Sequence, residues 1–228
     1  MKKIFVLIFI CLLVLCGCGK EEVVDSPVDD NTPNQTNKDT SLEKNIITSE
    51  VALFNGEFND RNIVLKVRNN NDKPVYLNYA FEVFDKNKTK LYNKEVNVRV
   101  GSNDEAYVVA IQDLEESSFE TYTYKMNILD EKLEDYSLIK GSIKSDYTND
   151  GKSIIVTFSN TGTRVTTVYG LLFFYKGNSL VAVKDVTSYN LIPYKVDNIK
   201  VSYPLKSVSK IISFDNVKLV VNEVSTEL

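Results

Sequence analysis

The sequence contains no histidine and no tryptophan, and its three cysteines, Cys11, Cys16 and Cys18, all lie within the first 18 of its 228 residues. Without histidine, Ser-His-Asp and Cys-His catalysis are excluded, and the commonest zinc ligand is missing. Because no cysteine follows Cys18, we expect no disulfide in the folded part, which must depend on its hydrophobic core. We therefore predict neither a cofactor nor a metal site.

Excess positive charge is also missing. The chain has 27 lysines and arginines against 31 aspartates and glutamates, a net charge of −4, and removal of Lys2 and Lys3 with a leader would lower it to −6. A protein that binds duplex nucleic acid needs a dense basic face, and no basic cluster is present in the sequence. Nucleic acid is therefore not a predicted partner.

The first residues have the three parts of a secretory signal: Lys2 and Lys3, an apolar run over 4–16, and Gly17 just before Cys18. The run is too short for the roughly 20 residues that cross a bilayer. Leu15-Cys16-Gly17-Cys18 matches the lipobox of bacterial lipoproteins, so we predict a signal peptide over 1–17. Diacylglycerol on the Cys18 sulfur would then hold the protein on the outer, extracytoplasmic face of the cell membrane.

A polar, acidic stretch follows the predicted acylation site, with almost no residue that a core would bury. Such a composition does not offset the entropy lost on ordering. We predict a disordered tether over 18–45, which as a flexible coil spans about 25 to 30 Å.

The remainder of the chain contains a weak internal repeat at an offset of 91 residues. Ile63-Val-Leu-Lys-Val-Arg-Asn69 aligns with Ile154-Ile-Val-Thr-Phe-Ser-Asn160, and Val75 to Asp85 aligns with Thr166 to Lys176. Gly170 takes the place of Tyr79, so the two cores cannot pack identically. Repeats of this kind indicate two similar modules.

Apolar residues alternate with polar ones along these segments, which predicts strands with one buried face and one mostly solvated face. Asn149-Asp150-Gly151 and Lys176-Gly177-Asn178 are typical of tight hairpin turns. With about seven short strands in each module, we predict an all-β fold of two tandem immunoglobulin-like antiparallel sandwiches, over residues 46–129 and 136–228. Residues 129–136 form an acidic connector with room for one helical turn.

Phe81-Glu-Val-Phe-Asp85 resembles the signature of the FxLYD domain, a small immunoglobulin-like module of bacterial surface lipoproteins. The second copy, Leu172-Phe-Phe-Tyr-Lys176, departs from that signature at its first and last positions. The resemblance covers both modules but not the tether. It implies a fold and a surface location, with no catalytic residues.

Tyrosine is the one residue type abundant enough to suggest binding. In the second module Tyr189, Tyr194 and Lys195 flank the apolar loop Leu191-Ile192-Pro193, whereas the counterpart loop of the first module, residues 101–104, has no aromatic residue. Because tyrosine is enriched at the centres of interfaces, we predict that this loop contacts a partner.

Two motifs resemble ligand loops only in part. Gly151-Lys152-Ser153 lacks the upstream glycine of a phosphate-binding loop, and the calcium-loop pattern that begins at Asp146 has Thr157 where a bidentate glutamate is required. We interpret both as part of a hairpin turn.

The leading hypothesis is a non-enzymatic surface lipoprotein that binds another envelope protein or cell-wall glycan. One alternative is an accessory cell-wall hydrolase, which would need a carboxyl group with a raised pKa. Another is a carrier that holds a small ligand between its sheets. The loop carboxylates that a hydrolase would use are Asp104, Glu105, Glu115, Glu116, Asp130 and Glu131.

Overall fold

The computed structural model describes residues 40–112 and 119–226, and the fold is built of antiparallel β-strands. The predicted signal peptide, Cys18 and most of the predicted tether lie outside these residues. The elements in chain order are α1 (Thr40–Glu43), β1 (Ile46–Asn55), a 3-10 turn (Glu57–Asn59), β2 (Arg61–Asn69), β3 (Val75–Phe84), β4 (Lys90–Val100), β5 (Glu105–Gln112), β6 (Thr121–Leu129), α2 (Tyr136–Gly141), β7 (Ile143–Asn149), β8 (Ser153–Asn160), β9 (Thr166–Lys176), β10 (Ser179–Leu191), β11 (Val196–Ser202), β12 (Leu205–Ser207), β13 (Lys210–Ile211) and β14 (Asn216–Thr226).

The first module is a sandwich of two three-stranded sheets, β1-β2-β5 and β4-β3-β6, and every strand pair in it is antiparallel. Strand β3 shows why the chain folds this way, because its residues alternate strictly between buried and half-buried positions. The core between the sheets is formed mainly by aliphatic side chains, with Tyr79 and Phe81 as its largest members.

The second module repeats this arrangement, with sheets β7-β8-β11 and β10-β9-β14. A small hairpin, β12-β13, is inserted between β11 and β14. Among the described residues each sandwich therefore has six strands, one fewer than expected. The prediction of an all-β fold of antiparallel sandwiches is confirmed.

The 91-residue offset reappears in the hydrogen bonds of two buried asparagines. Asn69 donates from Nδ2 to the carbonyls of Lys73 and Gly101, both at 2.8 Å. Asn160 donates to the carbonyl of Arg164, the repeat equivalent of Lys73, at 2.7 Å, and to that of Leu191, one position before the equivalent of Gly101, at 2.9 Å. Each side-chain amide thus ties the end of a central strand to the two loops beside it.

The two cores differ where the sequence predicts a difference. At Gly170 an added Cβ would lie 2.7 Å from Cζ of Phe158, so the Phe158 ring occupies the space of the missing side chain. The first module has the reverse arrangement, with Val67 at the position of Phe158 and Tyr79 at the position of Gly170. The side chains of Val67, Tyr79 and Phe158 are fully buried. The large aromatic group has moved from β3 in one module to β8 in the other.

The modules pack face to face through a third apolar cluster. Val64 on β2, with no exposed surface, lies in this cluster with Leu171 and Phe173 on β9. Tyr107 of β5 stacks obliquely on Phe173, with ring centroids 4.8 Å apart. The result is four sheets in layers, in which the central strands of the middle two sheets, β2 and β9, carry buried residues on both faces.

This packing corrects the expectation that the second face of each of these strands is mostly solvated. Strand β9 contains Leu171-Leu172-Phe173-Phe174, four consecutive apolar residues, because Leu172 and Phe174 enter their own core while Leu171 and Phe173 meet the first module. A strand that is buried on both sides has no need of polar alternation.

Two local expectations also need correction. The predicted tether, 18–45, ends in ordered structure, because α1 begins at Thr40 and the carbonyl of Leu42 accepts a hydrogen bond from Asn71 Nδ2 at 3.1 Å. The connector 129–136 is not helical, and the helix α2 begins only at its last residue, Tyr136. The Tyr136 ring is buried in the second core, which positions the helix.

Candidate functional site

The predicted contact loop joins β10 to β11 at one end of the second module. Tyr189 and Tyr194 are each 73% exposed, and Lys195 is also exposed. Leu191 is 5% exposed and belongs to the core, so its inclusion among the contact residues was wrong. A register shift between Ser188 and Leu191 breaks the alternation of β10 and turns Leu191 inward.

Two exposed aliphatic residues extend the surface: Ile192, which lies in the predicted loop but was not among the predicted contact residues, and Val196, which was missed. Ile192 is 48% exposed and Val196 is 57% exposed, on either side of the tyrosine at 194. Their apolar character alone predicts burial, and only the end of β10 decides that they face outward. We refer to Tyr189, Ile192, Tyr194 and Val196 as the tyrosine surface.

The backbone of this loop is held in place by hydrogen bonds. Tyr194 N donates to the Asn160 carbonyl at 2.8 Å, and Asn160 N donates to the Lys195 carbonyl at 3.0 Å. Asn190, beside Tyr189, has a φ of 52°, and its N–H donates to Thr167 Oγ1 at 3.2 Å. The tyrosine surface is therefore presented on a fixed framework.

Tyr194 itself has a φ of 60°, in the left-handed region. The counterpart residue of the first module is Asn103, with a φ of 51°. Asparagine tolerates this conformation, whereas a residue such as tyrosine pays roughly 1 to 2 kcal/mol in steric strain. The second module thus carries an exposed, strained aromatic residue where the repeat shows that asparagine would serve.

Hydrogen bonds place the start of the described chain at the same end of the molecule. Ser102 N donates to Ser137 Oγ at 2.9 Å, which joins the first module to α2, and Thr161 N donates to the Ser142 carbonyl at 2.9 Å, which joins α2 to the second module. The remaining links are Asn71 Nδ2 to the Leu42 carbonyl and Asn103 N to the Asn71 carbonyl. Residue 40 and the tyrosine surface therefore lie on one end of the two-module body.

The loop carboxylates are engaged by basic groups. Asp104 Oδ2 lies 2.7 Å from Lys140 Nζ, and Glu131 forms a two-pronged ion pair with Arg99 at 2.9 to 3.1 Å. Lys66, 2.7 Å from Glu105, holds the pKa of that carboxyl below its ordinary value. Asp130 is exposed, and Glu115 and Glu116 lie outside the described residues.

Carboxyl groups with raised pKa values occur elsewhere, on β10 and β14. Partial desolvation raises the pKa of Asp185, which is an exposed residue, and burial raises the pKa of Glu223, which forms an ion pair with Arg99 at 2.5 Å in the module interface. Neither residue belongs to the loop pairs that a hydrolase was expected to use.

The segment 149–153 is a hairpin turn. Gly151 has a φ of 81°, and Asp150 Oδ1 accepts hydrogen bonds from Lys152 N at 2.8 Å and Ser153 N at 2.6 Å. These bonds lower the pKa of the Asp150 carboxyl. The Asp150 side chain thus forms hydrogen bonds within the turn that contains it, which agrees with the hairpin interpretation of this segment.

Over residues 40–112 and 119–226 no group of three or more cysteine, aspartate or glutamate side chains is placed to hold a metal ion. No helix in the same part of the chain has the length and apolarity to cross a membrane.

No family model matches the sequence, and no curated protein is significantly similar to it. Among solved structures, the chain is similar to a transglutaminase of red sea bream, with 10% identity and a TM-score of 0.26 over 86% of this chain. It spans 32% of that enzyme's length. A chaperone–tip adhesin complex of CFA/I fimbriae gives 13% identity and a TM-score of 0.28, with 81% of this chain and 98% of the other covered. Both TM-scores lie below 0.5, so neither likeness bears on what this chain does.

Proposed function

We propose that this chain is a lipid-anchored surface protein that binds another envelope protein or cell-wall glycan without catalysing a reaction. Its anchor is diacylglycerol on Cys18, and its contact region is the tyrosine surface. The observation that carries the proposal is Tyr194, which is 73% exposed in a left-handed conformation that its counterpart Asn103 adopts at lower steric cost. Strained backbone at an exposed aromatic residue is typical of sites that contact a partner.

The tyrosine surface has the physical properties of an interface centre. Tyrosine rings offer a large contact area with few rotatable bonds, and Ile192 and Val196 add apolar area beside them. The backbone hydrogen bonds of Asn160 to Tyr194 and Lys195 fix the loop before any partner arrives. A fixed loop lowers the entropic cost of binding.

The described chain begins at the end of the two-module body that carries the contact region. Because residue 40 lies at the same end as the tyrosine surface, a tether from Cys18 would hold this surface close to the membrane. The FxLYD resemblance of 81–85 is a further argument for a surface module. A membrane-proximal envelope component is the partner that this arrangement favours.

The direct test is photo-crosslinking on intact cells, with a benzophenone side chain placed at position 194. A matched control carries the same group at Tyr92, which is 41% exposed on the first module. We expect one discrete adduct from position 194 and none of the same kind from position 92, with protein and glycan adducts separated by protease and muramidase digestion. Identical background labelling from both positions would contradict a specific contact.

A further inference from the structure

A cleft opens at one edge of the first module, where β1 and β6 face each other. It has a volume of about 410 Å³, with Leu53 and Leu65 among the residues that line it. Tyr122 and Tyr124 line it along β6 together with Thr121 and Thr123, and Glu50 and Glu120 are also among its lining residues. This cleft lies on the other module from the tyrosine surface, so it is independent of the proposed partner contact.

The second module shows how the same edge is closed. The strand registers make Tyr147 the counterpart of Glu50, since Tyr147 pairs with Val156 as Glu50 pairs with Leu65. Tyr147 reaches across the edge and donates from its hydroxyl to the Val217 carbonyl at 2.6 Å. Its ring packs against the second core.

In the first module the tyrosine lies on the opposite strand: it is on β6, and the group that accepts its hydrogen bond is on β1. Tyr122 occupies the position of Val217, and its hydroxyl donates a hydrogen bond to the Glu50 carboxylate. Burial and the neighbouring Glu50 both raise the pKa of the Tyr122 hydroxyl, so it remains a donor. The exchange puts a carboxylate at the mouth of the cleft where the other module has an aromatic ring.

A second exchange widens the aromatic wall. Tyr124 occupies the position of Leu219 and is 38% exposed, although it stacks obliquely on Tyr79 with ring centroids 5.6 Å apart. Tyr122 likewise stacks obliquely on Phe81, with ring centroids 6.1 Å apart. The inner edges of these two rings are fixed by the core, while their outer parts face the cleft.

The charges in the cleft have one sign. Glu50 and Glu120 contribute two carboxylates, and no lysine or arginine lines the cleft within the described part of the chain. Ammonium groups are attracted both to carboxylates and to the faces of aromatic rings, and the lysine stem is long enough to contact an apolar floor. The volume is within the range of small-ligand sites.

We propose that the cleft between β1 and β6 binds a primary ammonium group on an alkyl stem, as carried by a lysine side chain of a peptide. The ammonium group lies between the carboxylates of Glu50 and Glu120, and the stem lies against Tyr122 and Tyr124 above Leu65. Because Glu50 is already held by Tyr122, it is oriented before the ligand enters.

The test is a nuclear magnetic resonance titration of the full chain in detergent micelles with Nα-acetyl-lysine N-methylamide. We expect shifts of the backbone amides of Glu50, Tyr122 and Tyr124 that saturate with the ligand. The Nε-acetylated analogue, which has the same stem without the charge, should bind at least about tenfold more weakly. Cadaverine distinguishes a free amine from a peptide side chain, since it lacks the backbone of the probe.

Three variants complete the test. Glu50→Gln should weaken binding of the lysine probe about tenfold. Tyr124→Leu, which introduces the residue that the second module has, should also weaken it while the sandwich stays folded. Glu95→Gln, at an exposed position of β4, is the matched control and should leave binding unchanged. Equal binding of the charged and neutral probes, no saturable shift, or an unchanged affinity in Glu50→Gln would overturn the proposal, and none of these results affects the crosslinking at position 194.

Discussion

Asn222 of β14 pairs through its side chain with the backbone of Tyr107 on β5 in the other module. Its Oδ1 accepts from Tyr107 N at 2.6 Å, and its Nδ2 donates to the Tyr107 carbonyl at 3.0 Å. In the sheet that the described residues form, Tyr107 lies in an edge strand, where one set of its backbone groups has no strand partner. The amide of Asn222 satisfies both groups at once, so the two sandwiches are joined by directional bonds as well as by apolar contact.

The face-to-face packing predicts different outcomes for one substitution at repeat-equivalent positions. Val64→Lys would put a charge into the layer between the modules, so we expect it to lower the free energy of unfolding by at least about 3 kcal/mol. Ile155→Lys is the matched control, because Ile155 is the counterpart on β8 and is only half-buried on an outer sheet. It should cost less than about 1.5 kcal/mol. Urea denaturation measures both, and equal losses would contradict the layered packing.

Because Phe158 fills the space beside Gly170, we expect a smaller side chain at 158 to offset part of the stability lost when a side chain is added at 170. Gly170→Ala forces a Cβ to within 2.7 Å of Phe158, and we expect a loss of about 1 to 3 kcal/mol in stability. Phe158→Leu should be destabilising in the wild-type background, yet it should recover part of the loss when Gly170→Ala is present. A double-mutant cycle measures this coupling. Strict additivity of the two changes would show that the rings and backbone do not compete for the same space.

The strained tyrosine predicts a trade between stability and binding. Tyr194→Asn, which introduces the residue of the first module, should stabilise the protein by about 1 kcal/mol and raise Tm by roughly 2 to 4 °C. The same change should abolish partner capture on cells. Tyr189→Asn is the control, because Tyr189 is equally exposed and does not have a positive φ. It should bring no gain in Tm, and a loss of stability in Tyr194→Asn would refute the strain argument.

The raised pKa of Glu223 predicts a pH dependence of stability. Burial raises the pKa of its carboxyl even though Arg99 opposes the shift. Its contribution to stability is therefore fully present below the unfolded pKa and is lost as pH rises through the folded pKa. In Glu223→Gln this dependence disappears, while Arg99 stays charged throughout. We expect the stability of the variant relative to wild type to increase from about pH 4 to pH 8 in urea denaturation.

Glu105 gives the control of opposite sign for that experiment. Lys66 lowers the pKa of its carboxyl, so its contribution is present above the unfolded pKa and lost as pH falls through the folded pKa. The stability of Glu105→Gln relative to wild type should therefore decrease as pH rises, by a small amount because the pair is exposed. Slopes of the same sign for both variants would contradict the assignment of Glu223.

The anchor is tested by Cys18→Ala. Without the thioether no acyl chain holds the protein, so we expect it to move from the membrane fraction to the medium, as measured by fractionation and immunoblotting. Ser26→Ala, in the same predicted tether, should leave the protein in the membrane. A Cys18→Ala protein that stays in the membrane fraction unchanged would rule out this residue as the anchor.

Local patterns predicted much of the fold. Period-two alternation identified the central strands, and the turn residues at 149–151 identified a hairpin that Asp150 and Gly151 stabilise in the structure. Strand β1 escaped notice because its apolar residues are only partly buried and a register shift at Val51 breaks the alternation. The inserted hairpin β12-β13 is too short to show any periodicity.

The tyrosine surface was predictable only in part. Aromatic residues between two strand patterns indicated Tyr189 and Tyr194, but the exposure of Ile192 and the burial of Leu191 depend on where β10 ends. The cleft of the first module left no signal in the sequence. Glu50 and Tyr122 are separated by 72 positions, and only the pairing of their strands shows that they meet.

The order of residues along this chain was enough to establish strands, turns, a duplicated pattern and the prediction of a lipid anchor, because each depends on neighbours or on a fixed local spacing. Whether the second face of a central strand is buried or exposed depends on the packing of one module against the other. Val64 and Phe173 lie on faces that an isolated sandwich would leave to solvent, and burial of both follows from contact between distant segments. Hydrophobic burial has no direction of its own, so the surface that covers each face had to come from the tertiary structure.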